Sequence, residues 1–263
     1  MPGILEPRVT WFDIETSENQ GRFWRPGYKV SLSTDNIDVE RVILTAAWSH
    51  SDEPGHVYST SNLQFTKSKT GQYRYLPNDE YVVDDIVKGL ANTDILVHHN
   101  GDKFDLPWLN GRAAFHGIDG VGPIRTYDTL KIARRLWNLN SYRLDYIGQY
   151  FGVGEKIKTE YGLWKAVIHG DQDAYQRMID YCIGDVELLE KVYNIIEKYN
   201  TAYLKANEVE NYHSPCPFCG GTKKQKRGYR LNLKTFRRTY QCVSDLESGE
   251  KCGKWLVSTL RKK

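Results

Sequence analysis

The chain has 263 residues, of which 40% are hydrophobic, so it can bury a core of ordinary size and is not a disordered tail. No stretch approaches the roughly 18 uninterrupted apolar residues of a membrane span, and the first nine residues lack the basic start and apolar centre of a signal peptide. We therefore expect a cytoplasmic protein without membrane contact, whose five cysteines are metal ligands or core residues rather than disulfides.

The first half of the chain predicts three strands, then a helix, a strand and a second helix. The strands are expected over 8–16, 41–50 and 55–59, with alternation of apolar residues in the second and pairing between the second and third. Residues 17–38 are rich in Gly, Ser, Asn and Asp and predict a loop. The next three predicted elements are a helix over 84–91, a strand over 94–97 and a helix over 104–116.

The second half predicts an edge strand followed by three helices. In chain order these are a strand over 124–127 and helices over 128–137, 142–151 (capped by Ser141) and 171–199. The pattern predicts an α/β fold with a mixed sheet flanked by helices. A polar stretch at 207–211 predicts a boundary between a domain over 1–207 and a small domain over 212–263.

Two carboxylates stand one residue apart in the first predicted strand, in Asp13-Ile14-Glu15. Alternation along a strand sends Asp13 and Glu15 to one face and Ile14 to the other. Adjacent like charges usually mark a site where a hard cation supplies positive charge. The later side chains expected to join them are Asp105, in a first helical turn, and Tyr181 with Asp185, four residues apart on one helix face.

These side chains fall in three short motifs. In chain order the motifs are Asp13-x-Glu15, Asn100-x3-Phe104-Asp105 and Tyr181-x3-Asp185. Together they resemble the motifs of the DnaQ-like (DEDDy) 3′-5′ exonucleases of the ribonuclease H-like superfamily. The residues within the motifs are most similar to those of family B DNA polymerase proofreading domains. The resemblance covers about residues 8–200. A sister subgroup has His five residues before the last Asp; here that position holds Asp180, which favours the subgroup with tyrosine.

The resemblance implies a ribonuclease H-like fold and hydrolysis of phosphodiester bonds with two Mg²⁺ or Mn²⁺ ions. It implies that Asp13 bridges both ions, that Glu15 and Asp185 complete the site of the first, and that Asp105 holds the second. Tyr181 would orient the attacking water, since a phenol with a pKa near 10 is a poor base at neutral pH. The residues that the resemblance assigns to the terminal nucleotide are Thr16, Asn100 and Phe104, with Phe104 stacking on the base.

Other residues that could carry chemistry have simpler explanations. Consecutive strand positions face opposite ways, so His98-His99 does not favour a shared metal. Asp128 is explained by capping the following helix. Cys182 is interpreted as a core cysteine, because no motif places His beside it. Lys156 and Lys158 are interpreted as solvated, with phosphate contact as the alternative.

Four cysteines near the C-terminus predict a structural zinc site. Cys216-Pro217-Phe218-Cys219 has the form of a zinc knuckle, and Cys242 and Cys252 follow a β-like stretch over 229–240, as in a zinc ribbon. The second pair has nine residues between its members rather than the usual two to four. Either that knuckle carries a loop over 243–251, or another residue, His213 in the first place, supplies the fourth ligand.

The tail is strongly basic. Residues 213–263 hold 13 Lys and Arg against 3 Asp and Glu, whereas the remainder holds 23 against 30. The basic and aromatic residues of the strands predict a surface for single-stranded nucleic acid, with a small hydrophobic core plus solubilising charge as the alternative. These residues are Lys223, Lys224, Lys226, Arg227, Arg230, Arg237 and Arg238, with Tyr229, Phe236 and Tyr240 between them.

The leading functional hypothesis is a 3′-5′ exonuclease for single-stranded DNA ends, active in replication or repair and proofreading for a polymerase on another chain. The basic module would capture the strand or dock on a polymerase or replication complex. Two alternatives stay open: a 3′-5′ exoribonuclease, because no residue visibly reads a 2′-OH, and a non-catalytic nucleic-acid-binding adaptor that keeps the fold as a scaffold.

Overall fold

The computed structural model describes residues 7–23, 33–62, 65–67, 73–75, 78–206, 208–210, 212–232 and 235–258; side chains within 65–67, 73–75, 201–208 and 228–237 are outside the description. The chain divides into two compact units, Met1–Asn194 and Ile195–Lys263. In the described part, none of the helices combines the length and the apolar character needed to cross a membrane.

The order of elements is that of a mixed α/β protein followed by a β module. The strands are β1 (Val9–Thr16), β2 (Gln20–Gly21), β3 (Ile37–Val39), β4 (Ile43–His50), β5 (Val57–Ser61), β6 (Phe65–Lys67), β7 (Tyr73–Tyr75), β8 (Ile95–His98), β9 (Arg125–Asp128), β10 (Glu208–Val209), β11 (Lys224–Asn232), β12 (Thr235–Cys242) and β13 (Trp255–Ser258). The helices are α1 (Glu80–Leu90), α2 (Asp105–His116), α3 (Thr129–Leu136), α4 (Leu144–Tyr150), α5 (Tyr161–Ile168) and α6 (Gln172–Ala206), with a 3-10 turn at Thr34–Asn36.

The first unit is built around a five-stranded sheet in the order β5-β4-β1-β8-β9. β4 is antiparallel to β1 and β5, whereas β8 is parallel to both β1 and β9. The predicted α/β class, the pairing of the second and third strands and the edge position of β9 are therefore confirmed. Because β1, β8 and β9 are parallel, their carboxyl ends meet at one edge of the sheet.

Helices cover both faces of this sheet. On one face, Phe12 and Ile14 of β1 pack with apolar residues of α1 and α2, such as Ile86 and Leu109. On the other face, Leu44 packs against α5 and the start of α6. Every residue of β4 is buried, because a strand covered on both faces has no solvent side.

Several local expectations differ from the structure. The predicted loop over 17–38 contains the short ribbon β2–β3 in its described part. Ser141 does not cap a helix, because α4 begins at Leu144; the Ser141 hydroxyl accepts the Arg143 N–H instead. The sequence does not predict α5, because Gly162 is the second of its eight residues and the stretch lacks clear periodicity. α6 begins where expected and extends beyond residue 199.

The second unit contains a four-stranded sheet in the order β10-β13-β12-β11. β11 and β12 form a long antiparallel hairpin, with a bulge between Lys226 and Gly228. The buried cluster is small and includes two cysteines, Cys216 and Cys242, beside Val209, Tyr240 and Leu256. The domain bounds 1–207 and 212–263 remain predictions.

Candidate active site

Two carboxylates of β1 lie on one face of the sheet. Asp13 and Glu15 are half-buried. Phe12 and Ile14, which alternate with them along the strand, are buried against α1 and α2. The alternation predicted for β1 therefore holds. The α1–α2 core fixes the strand through Phe12 and Ile14, and this leaves the two acids on the face that α6 covers.

α2 brings a third carboxylate to the same place. β8 ends at His98, and the following turn places Asn100 in a left-handed conformation with φ +71°. Gly101 is required in this turn, because a Cβ there would lie 2.4 Å from the His98 ring. α2 then begins at Asp105, whose buried carboxylate accepts the Ile14 N–H at 3.2 Å. Asp105 is thus tied to the strand residue that separates the two acids.

α6 supplies the fourth carboxylate and the phenol. Asp13, Glu15 and Asp185 each offer an oxygen, and these atoms lie within 4.8 Å of one another. Tyr181 lies one turn before Asp185 on α6 and packs edge-on against the Trp164 ring, with 6.1 Å between the ring centroids. Cys182 is fully buried, as expected of a core cysteine, with its thiol 3.6 Å from the Asp13 carbonyl oxygen.

Lys156 is part of this cluster, and its interpretation as a solvated residue is wrong. Its ammonium donates to Asp185 Oδ2 at 2.5 Å and to the Tyr181 hydroxyl at 3.1 Å. Its backbone N–H donates to the Asp145 carboxylate of α4 at 2.8 Å, which anchors the loop that carries it. No motif or periodicity marked this lysine, because the loop reaches the site only through tertiary contacts. Lys158, two residues on, is exposed as expected.

The electrostatics of the cluster show a shortage of positive charge. Burial and then the charge of Asp185 raise the pKa of Glu15 to about 8, and burial raises that of Asp105 to about 7. Burial and the neighbouring acids also raise the pKa of Asp13. Burial opposes the ammonium of Lys156, but the charges of Asp185 and Asp13 prevail and raise its pKa. One ammonium therefore faces several carboxylates that are costly to ionise together.

The donor set fits a hard divalent cation. The three grouped carboxylates outnumber the single ammonium by two negative charges. Asp185 Oδ1 is buried and has no hydrogen-bond partner among the described residues. Oxygen ligands in such a number are those that Mg²⁺ and Mn²⁺ prefer. Asp105 lies beside this group rather than within it.

An open cleft of about 1150 Å³ adjoins the cluster. Lys156 and Tyr181 lie on its wall, together with Asn100 and His99. The cleft is basic, since its lining contains one acidic residue, Asp145, and four cationic residues in addition to Lys156. These are Lys103, Arg134, Arg143 and Lys158. They come from four different parts of the chain, so no sequence motif predicts them, yet together they suit a phosphate backbone.

The three residues predicted to hold a nucleotide differ in accessibility. Asn100 lies on the cleft wall, and its carbonyl accepts the Lys103 and Phe104 N–H groups. Thr16, at the end of β1, is buried. Phe104 is partly buried and packs against the α1–α2 core, which leaves only part of its ring available for stacking.

A second group of side chains that could bind a metal consists of His98, Asp102 and Asp128. His98 Nδ1 accepts the Gly101 N–H at 3.0 Å, so Nε2 carries the proton and faces Asp102 at 3.2 Å. Lys131 donates to Asp102 at 2.5 Å. Asp128 caps α3, as predicted, by accepting the N–H groups of residues 130 and 131. Two atoms of this group, His98 Nε2 and Asp128 Oδ2, are buried and have no hydrogen-bond partner among the described residues, so the group is only partly paired.

His99, in contrast, has a hydrogen-bond partner at each ring nitrogen. Its Nδ1 is 2.8 Å from the Thr129 hydroxyl and its Nε2 is 2.8 Å from the Tyr142 carbonyl. Burial lowers the pKa of His99 to about 4, so the ring is neutral at physiological pH. The neutral ring thus links β8 to the start of α3 and to the segment before α4.

The second unit brings the four C-terminal cysteines together. The Sγ atoms of Cys216, Cys219, Cys242 and Cys252 lie within 4.8 Å of one another, and His213 is not in the group. The Sγ–Sγ distances are 3.9 Å between Cys216 and Cys252 and 3.6 Å between Cys219 and Cys242. A tetrahedral Zn²⁺ with bonds of about 2.3 Å separates its sulfurs by about 3.8 Å, so this spacing fits zinc and is far too long for disulfides.

The wide spacing of the second cysteine pair has a simple cause. Residues 243–251 form a small loop that closes through a bridge between Asp245 and Lys251. The first alternative, a knuckle with a loop, therefore describes the structure. Burial opposes ionisation of Cys242, but hydrogen bonds from Ser244 lower its pKa to about 7, which favours the thiolate that a metal binds.

The surface of this unit differs in part from the prediction. Lys224 is buried and donates to the carbonyls of Tyr212 and Ser214. It therefore stabilises the segment before Cys216 and is not available to bind a nucleic acid. Tyr240 is a core residue. Among the described side chains of residues 212–258, the exposed aromatics are Phe218 and Trp255, and the Lys254 ammonium lies 5.3 Å from the Phe218 ring centroid. The side chains of Tyr229, Arg230, Phe236 and Arg237 lie outside the described residues.

Comparison with models of known protein families assigns the chain to a family. A model of the RNase H superfamily matches residues 49–197, more than half of the chain. This range contains Asp105, Tyr181 and Asp185, and begins after β1.

Among individual proteins, the chain is similar to two archaeal DNA polymerases. It is 27% identical to that of Methanocaldococcus jannaschii over 137 residues, 44% of this chain and 8% of the polymerase. It is 26% identical to that of Thermococcus litoralis over 210 residues, 70% of this chain and 11% of the polymerase. The chain thus spans about a tenth of the length of these relatives. A solved structure, the family B DNA polymerase of Pyrobaculum calidifontis, matches with a TM-score of 0.49 and 19% identity over 74% of this chain and 24% of that one.

Proposed function

Because the chain belongs to the RNase H superfamily, we propose that it is a metal-dependent 3′-5′ exonuclease for the ends of single-stranded DNA. The observation that carries the proposal is the group of Asp13, Glu15 and Asp185 oxygens beside a basic cleft. Acidic ligands for cations next to a path for phosphates are the parts that phosphodiester hydrolysis needs. The similarity to DNA polymerases favours DNA as the substrate.

The proposed cofactors are two Mg²⁺ or Mn²⁺ ions, held by Asp13, Glu15, Asp105 and Asp185. When bound, such ions lower the pKa of water and stabilise charge on the attacking and leaving oxygens. The protein's part is to keep these carboxylates close despite their repulsion. The β1 backbone does this rigidly, because Ile14 anchors the strand in the core and donates its N–H to Asp105.

Tyr181 is proposed to orient the attacking water. Its hydroxyl accepts from the Lys156 ammonium, which also binds Asp185, so its direction is fixed. Burial and the charge of Asp185 raise the pKa of Tyr181 above the usual value near 10, which keeps it a neutral phenol. A neutral phenol can hold a water by hydrogen bonding but does not take its proton.

The basic cleft is proposed to receive the terminal nucleotides. Thr16, Asn100 and Phe104 would position the last nucleotide, as the resemblance implies. Lys103, Arg134, Arg143 and Lys158 would pair with phosphates, which supports a polyanionic substrate over a small neutral one.

The C-terminal domain, proposed over 212–263, would hold one structural Zn²⁺ through Cys216, Cys219, Cys242 and Cys252. Its exposed Phe218 and Trp255, with Lys254 nearby, are suited to stacking on bases. We infer that this domain captures the strand or docks on a DNA polymerase or replication complex. Trans-proofreading, or DNA processing in replication or repair, would then be the role of the exonuclease domain, proposed over 1–207.

A time course on end-labelled strands tests the proposal. With Mg²⁺ or Mn²⁺, a 3′-labelled strand should release labelled mononucleotide at once, whereas a 5′-labelled strand should give a ladder of shortening products. Release of labelled mononucleotide from the 5′ end first would contradict the polarity.

The same time course on RNA separates the alternatives. Faster hydrolysis of RNA than of DNA would identify an exoribonuclease. Tight binding of single strands with no nucleotide release in either metal would identify a non-catalytic adaptor.

A further inference from the structure

We propose that the outer face of α2 is a second contact surface for the strand, on which a base upstream of the 3′ end stacks. We name this surface the α2 platform and define it by Arg41, Lys103, Trp108 and Phe115. The inference rests on the proposed function, since it assigns the path of the same substrate beyond the cleft.

Phe115 is an exposed ring held in a fixed position. Its exposed fraction is 73%. The Arg112 guanidinium lies 4.5 Å from the ring centroid and is itself fixed by two-pronged bonds to the fully buried Asp79, at 2.6 and 2.9 Å. The His116 ring meets Phe115 edge-on at 5.0 Å. A ring supported on its protein side and open to solvent is prepared for stacking on a base.

Arg41 supplies the positive charge of the α2 platform. Its guanidinium lies 5.2 Å from the centroid of the Trp108 ring. Its buried Nε–H has no hydrogen-bond partner among the described residues. Arg41 and Trp108 line a groove of about 490 Å³, together with Lys103 and Phe115. Glu40 is the acidic residue in its lining. Because Asp79 already neutralises Arg112, the cations left for a phosphate are Arg41 and Lys103.

The groove continues the path from the cleft. Lys103 lines both the groove and the cleft whose wall holds Asn100 and Tyr181. From Asp105 at the start of α2, Phe115 lies ten residues along the helix, roughly 15 Å at 1.5 Å per residue. A strand with a stacked rise of about 3.4 Å per nucleotide covers this distance in about four nucleotides. The α2 platform therefore suits a strand longer than the few nucleotides that the cleft receives.

The test is binding of single strands of two lengths by the full chain. Fluorescence anisotropy would measure the Kd of strands of about 3 and about 12 nucleotides, with Ca²⁺ replacing Mg²⁺ and a non-hydrolysable 3′ linkage. Phe115→Ala and Arg41→Gln should each weaken binding of the longer strand about fivefold or more and leave the shorter one unchanged. Tyr81→Ala is the matched control, because Tyr81 is 65% exposed on α1 in an acidic setting formed by Glu80 and Asp84.

Unchanged binding of the longer strand in both variants would overturn the proposal that the α2 platform binds the strand. The exposed aromatic residues would then be better explained as contacts for a protein partner. An equal loss for both lengths would also overturn it, because the substitutions would then act on the cleft. Nucleotide release from the shorter strand in Mg²⁺ is the separate check on the proposed function. If the wild-type protein released no nucleotide, the exonuclease proposal would be refuted, whereas the α2 platform would still be judged by the binding of the longer strand.

Discussion

The two candidate metal sites of this chain differ in how they relate to the fold. Asp13, Glu15 and Asp185 stand on a sheet and a helix whose apolar cores form without them, and Lys156 supplies a cation from the protein itself. The four thiols, in contrast, belong to the small buried cluster of their unit. A metal at the carboxylates therefore adds chemistry to a finished fold, whereas a metal at the thiols completes one.

The largest effect expected from this difference is in the second unit, at the four thiols. Cys242→Ser should abolish zinc binding and unfold β11–β13, because structural zinc contributes ~10 kcal/mol or more of apparent folding free energy. β1 and β8 should keep their amide protection. Zinc content measured by mass spectrometry and hydrogen exchange resolved along the chain would report both results.

Cys182→Ala is the control for that experiment, since Cys182 is a buried cysteine outside the thiol group. It should retain one zinc per chain. Stoichiometric zinc and protected β11–β13 in Cys242→Ser would show that the comparison between the two sites is mistaken.

A smaller effect is expected at the acidic site when its internal cation is removed. Without Mg²⁺, Lys156→Met should lower the free energy of unfolding by ~2 kcal/mol, because a hydrogen bond to a charged group contributes about that much. Excess Mg²⁺ should reduce the difference, since the ion neutralises the same carboxylates. Urea denaturation with and without Mg²⁺ measures both values. Lys158→Met, exposed on the same loop, should change stability little; an equal loss there would contradict the role of Lys156.

A third effect is expected in the pH dependence of the magnesium-free protein. The raised pKa values of Glu15, about 8, and Asp105, about 7, mean that the folded state keeps protons which the unfolded state releases above about pH 4.5. Stability should therefore fall as pH rises from about 4.5 to 8, by roughly 1.4 kcal/mol for each unit that separates the folded and unfolded pKa values. Glu15→Gln should flatten this slope in urea denaturation. A stability that rises over the same window in the wild-type protein would be the contrary result.

The sequence predicted the parts of the site that obey local rules. Alternation placed Asp13 and Glu15 on one face of β1, and helical spacing placed Tyr181 and Asp185 on one face of α6. Two cysteine pairs predicted the thiol group in spite of the nine residues within the second pair. In each case a few neighbouring residues determine the direction of the side chain.

The sequence did not predict what depends on distant contacts. Lys156 reaches Asp185 because Asp145 of α4 anchors its loop, and nothing near Lys156 in the chain indicates this. Lys224 is interpreted from sequence as a surface cation, but the carbonyls of Tyr212 and Ser214 bind it in the interior. The cleft and the α2 platform likewise combine cations from separate elements.

The most direct test of the central claim, that the carboxylates of β1 and α6 form a hydrolytic site, is nucleotide release by Asp13→Ala. Zinc content and circular dichroism should match those of the wild-type protein, because Asp13 lies outside the thiol group and the apolar cores. Release of mononucleotide from a 3′-labelled single strand in Mg²⁺ should fall by ~10³-fold or more. Release at the wild-type rate would contradict the account.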